Sequence, residues 1–275
     1  MKKKITMLLM TFILLFGAYS VLAQTTVPEA PSTFTEEGSS RRDSGLLPDR
    51  SIEAIAGNIT ALNMHGNTVT RTWFGVYGNV TGTLVLSNGE NDVMYDWSVA
   101  NPRGQVYATR APELSETILW NQVDCYNYTI TDLANYYTIS ELNADLGINP
   151  TLDQDAVNRT FRYAVPDPVE PLIQPPVAHY HNGFFVGTKE ILENTCPATS
   201  LYSSGANQNW DRYQQVLLYN AGVTGNSSLI YTSIIEDGEV TGFDGTDMDF
   251  QMLLGENGHD GDTDTTTYYF YVELE

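Results

Sequence analysis

The chain has 275 residues, 42% of them hydrophobic and 11% aromatic, with 34 acidic side chains against 13 basic ones and a formal net charge of −21. That apolar content is enough to build a core, which excludes a wholly disordered chain. So acidic a surface repels nucleic acid and anionic lipid, which excludes both as partners, and it attracts divalent cations.

In chain order, Lys2, Lys3 and Lys4 precede an apolar run from Ile5 to Gly17 and a small-residue ending with Val21 and Ala23 at the −3 and −1 positions. This is the layout of a secretory signal peptide over residues 1–23. No second long apolar run follows, so no membrane insertion is expected after cleavage. The expected location is outside the cell, either secreted or retained at the surface. Residues 24–50 are rich in Pro, Ser, Thr, Glu and Gly and read as a flexible stalk or linker. A strand donated to a neighbouring subunit is the sharper alternative for this segment, but it should alternate apolar and polar residues, and this one does not.

The folded part is expected over residues 51–275. Ile52–Leu62 reads as a strand pair or a bulged strand. Thr68–Arg110 reads as a β-meander: Val93, Tyr95, Trp97 and Val99 alternate with Met94, Asp96 and Ser98, the period of a strand with one buried face. Asn88-Gly89 between that strand and Leu84–Leu86 is a strong hairpin signal. Trp97 is expected in the core. Pro112–Trp120 is open between helix and loop.

Thr138 and Glu141 form a capping box, Leu142 and Leu146 stack at i,i+4, and Gly147 and Pro150 stop the chain, so a short helix is expected there. A second single turn is expected from Thr151. Thr160–Ala164 reads as a strand. Five prolines between Pro166 and Pro176 then force an extended crossover. Strands are expected at Phe184–Gly187, Lys189–Leu192, Tyr213–Tyr219, Leu229–Ile235, Phe250–Leu254 and Thr267–Glu273. About ten short strands with turn residues between them point to an all-β fold, a β-sandwich or jelly-roll-like domain with one or two short helices.

Two cysteines, Cys125 and Cys196, in an exported chain predict a disulfide, and nothing resembles Cys-x-x-Cys. Calcium is the expected cofactor, if any. Asn257, Asp260, Asp262 and Asp264 place oxygen ligands in a Gly-rich loop, and Asp244, Asp247 and Asp249 do so in a second loop. These two loops are expected at opposite ends of a sheet, each a site by itself, and solvated turns are the competing reading. His179 and His181 share a face of an extended segment but lack a third ligand in sequence. Trp210, between Asn207, Asn209 and Asp211, sits in a polar setting suited to stacking on a sugar ring. Asn58, Asn79, Asn127, Asn158 and Asn226 open N-x-[ST] sequons.

No G-x-S-x-G, H-E-x-x-H, P-loop or G-x-G-x-x-G motif is present, and no catalytic residue is assigned. The expected function is therefore a structural or adhesive extracellular role. The expected partner is an extracellular protein or glycan, or another copy of the chain. The alternatives are a carbohydrate-binding module built on Trp210 and a glycan hydrolase with an acid pair that spacing does not locate. Exposed aromatics in a planar row would favour the first alternative, two converging acids in a cleft the second, and a bare hydrophobic strand edge the structural role.

Overall fold

The computed structural model describes residues 27–41, 51, 53, 56–64, 66, 69–99, 101–111, 118–130, 136–163, 180–204, 207–208, 211–258 and 265–275. Fourteen strands are present among them: β1 (Trp73–Gly78), β2 (Gly82–Ser87), β3 (Val93–Val99), β4 (Gly104–Thr109), β5 (Val123–Cys125), β6 (Phe184–Val186), β7 (Lys189–Ile191), β8 (Ala198–Ser200), β9 (Tyr202–Ser203), β10 (Asn207–Gln208), β11 (Gln214–Asn220), β12 (Leu229–Ile234), β13 (Phe250–Gly255) and β14 (Tyr269–Leu274). Helices α1 (Ile139–Asp145) and α2 (Val157–Thr160) lie between β5 and β6. Every strand pair is antiparallel, and the described chain is mostly β.

The largest sheet has the order β14-β4-β12-β11-β5, with β8 also paired to β11. Its strands carry apolar or hydrogen-bonding residues on both faces, because both faces are covered. Val106, Ala108, Leu217 and Tyr231 enter one core with Met252, Leu254, Phe161, Leu142 and Leu146. Their sequence neighbours Tyr107, Val216, Leu218 and Ile230 enter a second core with Trp120, Phe184, Val186 and Ile191. Strand β4 is buried at all six positions. It begins at Gly104, where φ is +134° and a Cβ would collide with the Glu273 carbonyl of β14, so only glycine lets the two backbones meet there.

The β1–β13 pair lies over the first core. Gln215, fully buried on β11, treats β13 as a neighbouring strand: its Nε2 donates to the Leu253 carbonyl (2.7 Å) and its Oε1 accepts the Leu253 N–H (2.8 Å). Ser233 Oγ donates to the Gln251 carbonyl at 2.9 Å. A side-chain amide here does the work of a ladder, satisfying backbone groups that burial would otherwise orphan.

Helix α1 forms where its capping box requires. Glu141 N–H donates to Thr138 Oγ1, and Thr138 N–H donates back to the Glu141 carboxylate at 2.8 Å. Leu142 and Leu146 are buried in the first core, and Gly147 leaves the helix at φ +65°.

Several expectations need correction. Thr68–Arg110 is not a meander: β1 pairs with β13, β4 with β12 and β14, and only β2 and β3 pair with each other. Strands β12 and β14 both flank β4, while β13 leaves for β1. The described residues within 52–62 carry no strand and are exposed. In place of a strand at Thr160–Ala164 the chain makes helix α2, followed by one bridge from Arg162 to Ala198. Residues 151–155 form turns rather than a helix, and Trp120–Gln122 is a 3-10 turn. The Pro-rich crossover lies outside the described residues.

Candidate contact surface

The β2–β3 hairpin stands apart from the sheets described above, and its register sets what it presents. Leu84 is opposite Trp97 and Leu86 opposite Tyr95, while Val85 is opposite Asp96 and Thr83 opposite Ser98. Side chains alternate across a strand, so Leu84, Leu86, Tyr95 and Trp97 share one face, and the other is mixed in polarity. The register then shifts by one residue, which sets Val93 opposite Ser87 and off that face. The burial expected for this face is not found: the four side chains are 44–57% exposed, so the expectation of a core Trp97 is corrected. They amount to an apolar patch on the order of 400 Å², the size that marks interaction surfaces on soluble proteins.

The turn is longer than Asn88-Gly89 alone. Asn88 Oδ1 accepts the N–H groups of Glu90 (3.0 Å) and Asp92 (2.8 Å), and Asn91, not Gly89, takes the left-handed conformation at φ 65°. At its base the hairpin is fixed by Gly82, where a Cβ would run into Leu274 of β14. The Tyr95 and Trp97 rings are 4.8 Å apart but tilted by 59°, so they do not form the flat platform on which a sugar stacks.

In the acidic loop between β12 and β13, Asp244, Asp247 and Asp249 each accept a hydrogen bond from a neighbouring group. Asp244 Oδ1 accepts from Thr246 N–H (3.0 Å) and Oγ1 (2.7 Å), and these bonds hold its carboxyl below the usual range. Asp247 Oδ1 accepts from Thr241 Oγ1 (2.9 Å), and Asp249 Oδ2 accepts the Val80 N–H (2.6 Å), tying the loop to the connection between β1 and β2. Glu236 is buried, and burial pushes its carboxyl up against the opposing effect of the Tyr213 N–H and Arg212 guanidinium that it accepts from. Among the described residues no three acidic, histidine or cysteine groups gather as a metal site. In the other candidate loop Asn257 is described, while Asp260, Asp262 and Asp264 lie outside the described residues. The two loops lie at the two ends of β13.

Trp210 and Asn209 also lie outside the described residues. Asn207 is in β10, paired with Ser203. Of the sequon asparagines, Asn58 and Asn79 are exposed, Asn127 and Asn226 are half-buried, and Asn158 sits in α2 with a buried Oδ1. Asn127 Oδ1 accepts from Thr129 N–H (2.9 Å) and Oγ1 (2.8 Å).

Cys125 and Cys196 form the disulfide. Behind it His181 is buried, with Nε2 accepting the Cys196 N–H (3.0 Å) and Nδ1 therefore donating to the Asn182 carbonyl (2.9 Å). Both ring nitrogens are occupied, so this histidine is a structural brace; His179 lies outside the described residues. Burial holds the imidazole below its ordinary pKa of 6.5. A depressed histidine contributes stability that is full above pH 6.5 and is lost as pH falls through its folded pKa. Urea unfolding between pH 7.5 and 5 is expected to show a loss of up to about 1.4 kcal/mol per pH unit from this one proton, and His181→Gln should flatten that part of the slope. Equal slopes in both proteins would remove His181 as the cause.

Buried Glu273, also raised by burial, accepts from Tyr107 Oη (2.9 Å) and Gly187 N–H (2.9 Å), joining β14 to β4 and to the β6–β7 turn. Two grooves have no carboxylate in their lining: one is lined by Arg110, Tyr137, Tyr231 and Tyr268, the other by Ala30, Pro31, Phe34 and Tyr268–Tyr271. The hairpin face is an aligned apolar surface left open, which sequence reasoning placed correctly as a face and wrongly as core. No protein-family model matches the chain, and neither does any curated protein or solved structure.

Proposed function

We propose that this is an exported, surface-associated β-sandwich protein with a structural or adhesive role, and that it makes contact through the apolar face of the β2–β3 hairpin. The observation that carries this reading is that face itself: four large apolar side chains aligned by register and left half-exposed. A two-stranded hairpin is marginal in water by itself, so an uncovered apolar face is a cost that a partner removes. Export is supported by the leader-like N-terminus and by the disulfide. Calcium, in this reading, belongs to the Asn257–Asp264 loop, because the carboxylates of the other loop are already engaged.

Aliphatic Leu84 and Leu86 opposite the two tilted rings favour a protein surface over a glycan. The test is sedimentation velocity on the chain expressed with its leader and purified from the exported fraction, in calcium and in EDTA. The wild-type protein is expected to form larger species as its concentration rises, and the double variant Leu84→Lys, Trp97→Lys to remain smaller under the same conditions. Equal sedimentation of both proteins would remove the hairpin as the self-contact. Loss of glycan binding on Trp97→Ala, in a protein that stays monomeric, would move the assignment to a carbohydrate-binding module. A shift seen only in calcium would tie assembly to the acidic loop.

A further inference from the structure

Strand β14 is the edge of the largest sheet, and an unpaired edge invites another strand. In this chain the edge is met by the segment that follows the leader. Glu29 N–H donates to the Val272 carbonyl (3.0 Å), and Val272 N–H donates to the Glu29 carbonyl (2.8 Å), an antiparallel bridge. Pro28 is buried, and the ring of Phe34 lies 5.3 Å from Phe270, so a groove forms between Ala30, Pro31, Phe34 and residues 268–271. The arm therefore adds a single bridge to the sheet edge, without the alternating pattern that added strands usually show.

Every described residue from 35 to 66 is exposed and outside any strand or helix. The chain from 35 to 72 has a contour of up to ~130 Å, far more than is needed to return to its own β14. So long a tether gives the arm an effective concentration of about millimolar or less at its own groove, a level that neighbouring copies crowded on a surface can match. The contacts in the groove are the same whichever copy supplies the arm, which is the condition for exchange at little cost.

We infer that residues 27–34 are an exchangeable strand, which closes the β14 edge of its own copy when the protein is dilute and that of a second copy when it is concentrated. Because each copy gives one arm and offers one groove, the contact is head-to-tail and can extend beyond a dimer. It uses a different element from the hairpin face, so either contact can fail without the other.

Cysteines at the bridged pair test this. Glu29 and Val272 exchange both hydrogen bonds, which sets their Cα atoms about 5.5 Å apart, within disulfide range. Glu29→Cys and Val272→Cys are made in separate copies that differ in mass by a tag, then mixed at rising concentration under mild oxidation. The expected product is a disulfide between unlike copies, formed at least about tenfold faster than with Glu37→Cys in place of Glu29→Cys. The double variant Glu29→Cys, Val272→Cys reports closure within one copy. Closure there with no unlike pairs in the mixture would overturn exchange, and so would the absence of both products, since the arm would then not occupy the edge. Repeating the mixture on the Leu84→Lys, Trp97→Lys background separates the two contacts: unlike pairs should still form if the hairpin plays no part in them.

Discussion

Removing the Cys125–Cys196 bond is expected to lower the unfolding free energy by about 4 kcal/mol, the chain-entropy value for a loop of this length; the two residues are 71 apart in sequence. The position of the bond explains why so large a part of that value should be realised. Strands β5 and β8 have three residues each and lie end to end along the same side of β11, β5 against Leu218–Asn220 and β8 against Gln214–Val216. Neither is long enough to hold a sheet edge by itself. The disulfide joins them where they meet, helped by Tyr126 N–H to the Leu217 carbonyl (3.1 Å) and Leu217 N–H to the Pro197 carbonyl (2.9 Å). The nearby Lys189–Asp124 pair, at 2.8 Å and largely in solvent, adds little. Urea unfolding of the Cys125→Ala, Cys196→Ala variant against the oxidised parent measures the loss. A value below about 1 kcal/mol would mean that the half-strands hold without the bond.

What could be read ahead of the structure was whatever depends on near neighbours. The capping box of α1, its two buried leucines, the β2–β3 hairpin and the disulfide are all present. So are the strands at Phe184, Lys189, Gln214, Leu229, Phe250 and Tyr269, within a residue or two of the expected bounds. Pairing was not legible, because it is set by non-local contacts: β1 crosses to β13 and β4 takes β12 and β14, partners more than a hundred residues away. Helix α2 was missed because four residues are too few to show a 3.6-residue period, and β-branched and aromatic neighbours imitated a strand. The hairpin teaches the opposite lesson. Alternation states that Tyr95 and Trp97 share a face, and it carries no information on the bulge that sets Val93 off that face or on whether the same chain supplies the cover. The acidic loop was ambiguous for a related reason: Asp and Asn serve turns and calcium alike, and Asp244, Asp247 and Asp249 each accept a hydrogen bond from a neighbouring group.

Phe161→Ala is the second large effect, with an expected loss of about 3–5 kcal/mol. Phe161 is fully buried where α2 ends, its N–H bonded to the Val157 carbonyl at 2.8 Å and its carbonyl accepting from Tyr128 Oη at 2.9 Å. Its ring lies 5.7 Å from that of Trp73 on β1 and 6.2 Å from that of Tyr231 on β12. It is therefore the wedge between the β1–β13 pair and the largest sheet, with Trp73 pinned from the other side by its Nε1–H to the Asp155 carbonyl (2.8 Å). Truncation leaves a cavity that none of these anchored neighbours can move to fill, which places the cost at the upper end of the range. Trp97→Ala removes a larger ring from the open hairpin face and should cost only about 1 kcal/mol or less, because half of that ring is already in water. If Phe161→Ala fails to accumulate as folded protein, Phe161→Leu keeps most of the volume and should cost below about 1.5 kcal/mol. Equal losses for Phe161→Ala and Trp97→Ala in urea unfolding would contradict both assignments together, since one residue is read as the joint between layers and the other as a face waiting for a partner.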